Sequence, residues 1–162
     1  MIPTDSPTRL ILVRHGEVEE RYHNIFGGSR IDMNLSPLGH RQAQALAQWL
    51  DAHRIDAIHA SPMLRVQQTI APLLERRSMT ASPMADLREI DFGVWTGHHW
   101  TEVRDKFGIS AYDWLRVLEG PGIEGGESAA QLLARVRPCL EQVVKANDGG
   151  SALIACHGGI VR

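Results

Sequence analysis

The chain has little of what marks membrane, secreted or nucleic-acid-binding proteins. No apolar run approaches the ~20 residues that span a bilayer, and the N-terminus MIPTDSPTR lacks the apolar core of a signal peptide. The formal net charge is −2, so no basic excess exists to attract nucleic acid or an anionic membrane surface. We therefore expect neither nucleic acid nor a membrane as a partner.

Cysteine is also scarce. Cys139 and Cys156 are the only two, and their spacing does not resemble a metal-binding motif. Reduced, buried thiols are typical of cytoplasmic proteins, which is the location that we predict. The adjacent pair His98-His99 is a poor metal site, because neighbouring side chains on a helix or strand point apart. The sequence thus predicts a protein that uses no metal and no cofactor.

The apolar pattern of the 162 residues predicts one domain over 1–162 in which strands and helices alternate. Helices should start at Ser-Pro pairs or at a capping box, and a proline inside the last long helix should kink it or displace its first turns. This order favours an α/β fold of three layers, α/β/α, around a mostly parallel central sheet. The expected strands are 9–14, 55–60 and 151–156; the helix starts are Ser36-Pro37, Ser61-Pro62 and Ser128 with Gln131; residues 98–118 form two helical pieces around Gly108; the internal proline is Pro138.

Two of these strands run directly into a histidine followed by glycine. The first leads into Arg14-His15-Gly16-Glu17 and the last into His157-Gly158-Gly159. Carboxyl ends of parallel strands meet at one edge of a sheet, where ligands bind, so both histidines can face one pocket. A lone histidine at a strand end more often forms a hydrogen bond with the nearby backbone. Two such histidines, one of them next to an arginine, instead favour a ligand-binding site.

Arg65 supplies a further cation at the same edge. It falls in the first turn of the helix after the second strand, where the helix dipole disfavours a cation by ~0.3–1 kcal/mol. Taken alone, it reads as a surface arginine paired with an acid. Together with Arg14, His15 and His157 it would form a cluster that repels itself unless it holds a dianion, and phosphate is the natural candidate.

Four segments resemble the histidine phosphatase superfamily, the phosphoglycerate mutase-like group. They are Arg14-His15-Gly16-Glu17, Ser61-Pro62-x-x-Arg65-x-x-x-Thr69, LREIDFGVWTG at 87–97 and Cys156-His157-Gly158-Gly159. The resemblance implies a phosphoglycerate mutase-like fold in which His15 is the nucleophile and becomes phosphorylated. It also implies that Glu89 gives a proton to the leaving oxygen while Arg14, Arg65 and His157 hold the phosphoryl oxygens, with backbone N–H groups at Gly158 nearby.

One loop departs from the family pattern. Family members often carry asparagine six residues after the nucleophile, whereas this chain has Arg21 there and Asn24 three residues later. We expect Asn24 as a candidate phosphate contact, and Arg21 or Arg30 as candidates for binding the rest of the substrate. Specificity should lie in residues 18–34 and 95–122, where tryptophans and tyrosines form either core or substrate entrance.

Within the family, a metal-independent phosphomonoesterase that acts on small phosphorylated metabolites is the first expectation. The wording EIDFGVWTG and the short stretch from Glu89 to Gly126 resemble phosphatases, with the alpha-ribazole phosphatase branch as the narrower prediction. A phosphoglycerate mutase is the alternative enzyme. An alternative of another class is a non-catalytic module that binds phosphate or a phosphoprotein.

The position of Arg162, soon after His157, gives one more expectation. Relatives usually continue with the rest of a helix and at least one strand, so the chain resembles a domain truncated at its C-terminus. Missing cover would expose apolar surface and an unpaired strand edge. We therefore expect a homo-oligomer or a fragment of a longer product.

Overall fold

The computed structural model describes residues 7–162. Ten helices and strands carry the fold, joined by loops and short 3₁₀ turns. In chain order they are β1 (Arg9–Arg14), α1 (Pro37–Leu50), β2 (Ala57–Ala60), α2 (Leu64–Arg77), β3 (Ser82–Pro83), α3 (Trp100–Phe107), α4 (Trp114–Glu119), α5 (Ala129–Ala146), β4 (Ser151–Cys156) and α6 (Gly158–Val161).

The four strands form one parallel sheet in the order β1-β4-β2-β3. Strand β4 is central and buried along its whole length, as its apolar residues on both faces predict. Arg14 at the end of β1 pairs with Cys156 at the end of β4, and Ala60 at the end of β2 pairs with Ala155. The carboxyl ends of these three strands therefore meet at one edge, which confirms the basis on which the site was predicted.

Helices cover both faces of the sheet. Helices α1 and α2 bury Leu50, Val66 and Ile70 against one face, and α5 buries Cys139 and Val143 against the other. The mixed three-layer α/β/α architecture with a parallel central sheet is therefore confirmed. Both cysteines are free and buried.

Two of the three predicted helix starts are confirmed. Ser36 caps α1, since its Oγ accepts from the Gly39 N–H at 3.0 Å, and Ser128 caps α5 in a capping box with Gln131. The predicted helix start at Ser61-Pro62 is wrong, because α2 begins at Leu64. The first backbone N–H of this helix donates to a residue from a distant part of the chain. The Leu64 N–H donates to Asp32 Oδ1 at 2.8 Å, and this contact replaces a serine cap.

Pro138 does not displace the first turns of α5, so of the two expected effects, a kink or a displaced start, the displaced start is wrong. Helix α5 is continuous from Ala129 to Ala146 and includes the proline. The capping box at Ser128 fixes the first turn before the proline is reached. In addition, β2 is shorter than predicted, and the short strand β3 was not expected.

Over residues 7–162 we find no helix whose length and apolar character would let it cross a membrane.

Candidate active site

A cavity of about 570 Å³ opens at the carboxyl edge of the sheet, where β1, β4 and the start of α2 meet. Its lining includes four charged or titratable side chains that come from three separate segments. We call this group the phosphate corner; it consists of Arg14, His15, Arg65 and Glu89. The backbone of Gly158 and Gly159, at the start of α6, lines the same cavity.

His15 is fixed in one tautomer. Its Nδ1 lies 2.8 Å from the carbonyl oxygen of Gly16. A carbonyl oxygen can only accept, so Nδ1 carries the hydrogen and Nε2 keeps its lone pair. Burial, aided by the charges of Arg65 and Arg14 and opposed by the hydrogen bond to Gly16, lowers the pKa of His15 to about 4. At neutral pH the ring is uncharged and Nε2 is available to an electrophile.

His157 lies beside His15, with the two ring centroids 5.4 Å apart. Its side chain is 0% exposed, so it supports the cavity from within the protein and does not line it. Its Nε2 is 2.8 Å from Ser61 Oγ, while Nδ1 has no hydrogen-bond partner among residues 7–162. Burial, followed by the charge of Arg65, lowers the pKa of His157 to about 2, so this ring is also neutral.

Arg65 is buried, which rules out the simple alternative of a surface arginine. Only 3% of it is exposed, and its guanidinium donates to the carbonyl oxygens of Ile31 at 3.2 Å and Gly28 at 3.1 Å. Burial lowers its pKa, while the charges of Glu89 and Asp32 act in the opposite direction. Guanidinium groups keep their charge in proteins, so Arg65 places a permanent cation at the cavity wall.

Thr69, one helical turn after Arg65, connects two parts of the phosphate corner. Its Oγ1 accepts from the Gly16 N–H at 2.9 Å and donates to the Arg65 carbonyl oxygen at 2.7 Å. The residue after His15 is thereby tied to α2. Thr69 and Ser61 were part of the family motif in the sequence but received no predicted role; their contacts involve partners distant along the chain.

Glu89 reaches the corner from the loop before α3. Its carboxylate accepts from the N–H groups of Ile90 at 3.0 Å and Gly159 at 3.3 Å. Burial raises the pKa of Glu89 and outweighs these hydrogen bonds and the nearby cations Arg65 and Arg14, which lower it. The raised pKa therefore follows from desolvation of the carboxyl group. The N–H of Gly159 is thus directed to Glu89.

Arg135 holds the backbone of the Glu89 loop. From α5 it donates to the carbonyl oxygens of Asp86, Arg88 and Glu89, and it forms a two-pronged ion pair with Glu127 at 2.6 and 2.8 Å. This role could not be predicted from the sequence, because 46 positions separate Arg135 from Glu89.

The remaining predicted residues are divided between the cavity and the surface. Asn24 lines the cavity, and its backbone has a positive φ of 59°, which asparagine tolerates better than most residues. Arg21 pairs with Glu19 at 2.6 Å, and Arg30 pairs with Asp91 at 2.7 Å; both arginines lie outside this cavity.

Known proteins resemble this chain over most of its length. The family described as "Histidine phosphatase superfamily (branch 1)" matches residues 10–162. Phosphoserine phosphatase 1 from Hydrogenobacter thermophilus is 32% identical over 149 residues, which cover 92% of this chain and 70% of that protein. A 2,3-bisphosphoglycerate-dependent phosphoglycerate mutase from Methylobacterium radiotolerans is 32% identical over 161 residues, covering 94% and 75%.

Solved structures with a similar fold also include a phosphatase. The crystal structure of the alpha-ribazole phosphatase from Shigella flexneri matches with a TM-score of 0.81 at 25% identity, over 94% of this chain and 75% of that one. The phosphatases among these relatives confirm the predicted reaction class, hydrolysis of phosphate monoesters. This chain belongs to the histidine phosphatase superfamily.

Proposed function

We propose that the protein hydrolyses small phosphorylated metabolites through a phosphohistidine on His15. The observation that carries this proposal is the free Nε2 lone pair of a neutral His15 beside two arginines. An uncharged imidazole is a competent nucleophile at neutral pH, and Arg14 and Arg65 can neutralise the charge of a phosphoryl group as it is transferred. These are the residues that an in-line attack on phosphorus requires.

In the first step, Nε2 of His15 forms a bond to phosphorus while the bond from phosphorus to the ester oxygen breaks. The leaving oxygen takes a proton from the Glu89 carboxyl group, whose raised pKa favours the protonated form. The products are the free alcohol, a phosphohistidine and the Glu89 carboxylate. Arg14 and Arg65 balance the phosphoryl charge throughout.

In the second step, water attacks the phosphorus of the phosphohistidine. Glu89, now a carboxylate, accepts a proton from this water, and the bond between phosphorus and Nε2 breaks. Inorganic phosphate leaves, and both His15 and Glu89 return to their starting states. His157 and Gly158 are proposed to complete the phosphate site. The buried His157 ring, 5.4 Å from the His15 ring, would hold His15 in position.

Rapid quenching of a reaction with radioactive phosphate ester tests this route. The expected result is a protein-bound label that is stable in base and lost in acid, because a phosphoramidate hydrolyses when its nitrogen is protonated. His15→Ala should remove the label and nearly all p-nitrophenyl phosphate turnover. A non-catalytic binding module would bind phosphate but would form no label and no p-nitrophenol.

A phosphoglycerate mutase is the second candidate, supported by the related mutase from Methylobacterium radiotolerans. A coupled assay for formation of 2-phosphoglycerate from 3-phosphoglycerate distinguishes the two activities. A phosphatase should release inorganic phosphate without that conversion. The alpha-ribazole phosphatase from Shigella flexneri supports ribazole phosphate as a substrate to include in the screen. Free, buried thiols at Cys139 and Cys156 support the proposed cytoplasmic location.

A further inference from the structure

Aromatic side chains line the cavity beyond the phosphate corner. Four segments of the chain supply these aromatic side chains, which range from buried to largely exposed. Phe26 and Phe92 are buried, Trp100 and Trp114 are half-buried, and Tyr112 is 83% exposed. Tyr22 adds a sixth ring to the lining. We call this surface the aromatic wall; it consists of Tyr22, Phe26, Phe92, Trp100, Tyr112 and Trp114.

The rings of the wall support one another. Phe26 and Phe92 meet edge to face with centroids 5.0 Å apart, Phe92 and Trp114 at 5.7 Å, and Trp100 and Tyr112 at 5.6 Å. Edge-to-face contact is a preferred geometry of aromatic pairs, so these contacts hold the rings in place before a substrate enters. A pre-formed apolar surface binds a ligand without first having to be ordered.

The charges around the aromatic wall do not favour a substrate whose alcohol part carries an acidic group. Arg21 and Arg30 are neutralised by ion pairs outside the cavity. Arg162 does line the cavity and keeps its charge, with its guanidinium over the Trp114 ring at 5.8 Å. Glu17 also lines the cavity, and its carboxylate opposes the charge of Arg162 and would repel an anionic group.

From this arrangement we propose that the alcohol part of the substrate carries a flat, uncharged ring that packs on the aromatic wall. The inference rests on the proposed phosphatase function, and it adds the chemical class of the group attached to the phosphate. The phosphate would occupy the phosphate corner while the ring contacts Trp100 and Trp114. Aromatic surfaces bind flat rings by stacking or edge contacts, which saturated chains cannot reproduce.

A panel of phosphate esters of primary alcohols tests this inference on the unaltered protein. The panel contains 2-phenylethyl, 2-cyclohexylethyl and n-butyl phosphate, with O-phosphoserine and 3-phosphoglycerate as acidic substrates. Release of inorganic phosphate gives kcat/KM for each. We expect 2-phenylethyl phosphate to exceed n-butyl phosphate by about tenfold, mainly through a lower KM, and to exceed the cyclohexyl ester as well.

Variants then locate the preference. Trp114→Leu and Tyr112→Leu should each reduce the ratio of kcat/KM for 2-phenylethyl phosphate to that for n-butyl phosphate severalfold. Tyr112 is so exposed that its replacement does not threaten folding. Trp49→Leu is the matched control, since Trp49 is 61% exposed on α1 and stacks on His53, outside the cavity.

The outcomes separate this inference from the proposed function. Equal kcat/KM for the phenyl, cyclohexyl and butyl esters would overturn the flat-ring inference and leave phosphatase activity standing. So would faster turnover of O-phosphoserine or 3-phosphoglycerate than of the phenyl ester. If no ester is hydrolysed and His15 takes up no label, the proposed function fails and the inference fails with it.

Discussion

The carboxyl group of Glu89 occupies the space that a side chain at Gly159 would need. A Cβ atom at position 159 would lie 2.5 Å from Glu89 Oε1 and 2.6 Å from Ile90 Cδ1. The Gly159 N–H meanwhile donates to Glu89 Oε2 at 3.3 Å. A side chain at position 159 would therefore displace the ends of the Glu89 and Ile90 side chains, and the first turn of α6 sets where the proposed acid stands.

The first prediction is that Gly159→Ala displaces Glu89. Proton donation matters most when the leaving group is a poor one, and it contributes about 10²–10⁴-fold in enzymes. Hydrolysis of n-butyl phosphate should therefore fall by about 10²-fold or more, while p-nitrophenyl phosphate, whose leaving group needs little protonation, falls much less. Glu89→Gln should show the same dependence on the leaving group.

Gly158→Ala is the neighbouring control. A Cβ atom at position 158 would lie 3.3 Å from Arg14 Nε, and its three nearest atoms all belong to Arg14 and not to Glu89. We expect it to weaken inhibition by inorganic phosphate while leaving the ratio between the two esters unchanged. Equal losses for both esters in Gly159→Ala would remove the link between that glycine and proton donation.

The second prediction concerns the Thr69 hydroxyl. Thr69→Val keeps the shape of the side chain but leaves the Gly16 N–H without its acceptor, which costs about 1–3 kcal/mol where the group is buried. Activity should also fall, because the Gly16 carbonyl holds His15. Thr69→Ser retains the hydroxyl and should behave much more like the unaltered protein in urea unfolding and in turnover. A loss in Thr69→Ser with none in Thr69→Val would show that the methyl group, and not the hydroxyl, is what matters.

Much of the fold was predictable because its signals are local. The run SALIAC is apolar on both faces and therefore central, and Ser128 with Gln131 forms a capping box within four residues. Ser61-Pro62 carries an equally local signal that misleads. Ser61 Oγ lies next to His157, which is 96 positions away, and no local pattern reports such a partner.

The candidate site also combines features that a local sequence pattern predicts with features that depend on distant residues. The strand-end histidines were predictable because parallel strands bring their carboxyl ends together. The destinations of Arg21 and Arg30 were not, since each depends on a carboxylate, Glu19 or Asp91, whose position is set by loop conformation.

The third prediction tests Arg135 as a positioning residue for Glu89. Arg135→Met removes the donors for three loop carbonyls and leaves Glu127 unpaired. The free energy of unfolding should therefore fall by about 1–3 kcal/mol. A purely structural role would lower turnover of all esters alike. A positioning role should lower alkyl phosphate turnover more than p-nitrophenyl phosphate turnover.

Arg137→Met is the matched control for this change. Arg137 is exposed on the same helix, two positions further on. It should leave both the free energy of unfolding and the ratio of the two esters unchanged. Arg135→Lys keeps the charge but cannot reach several carbonyls at once, so it should resemble Arg135→Met in the ester ratio.

The fourth prediction is the pH dependence of activity. The free enzyme requires neutral His15, so kcat/KM should fall in acid as pH drops through the His15 pKa of about 4. It also requires protonated Glu89, so activity should fall as pH rises through the raised pKa of that carboxyl group. Glu89→Gln should lose the upper limb of the profile and keep the lower one. An upper limb that persists in Glu89→Gln would assign it to another group.

The last prediction concerns stability in acid and follows from the burial of His157. Its folded-state pKa of about 2 is far below the unfolded value of 6.5, so below pH 6.5 the unfolded chain binds a proton that the folded protein does not. Stability from the neutral ring is therefore complete above pH 6.5 and is lost as pH falls. Between pH values of about 7 and 5 the loss should be about 2 kcal/mol from this residue. His157→Gln lacks the titrating ring, so its free energy of unfolding should fall by about that much less over the same interval. Urea unfolding of both proteins across this range measures the difference, and parallel profiles would mean that His157 binds its proton equally well in the folded and the unfolded state.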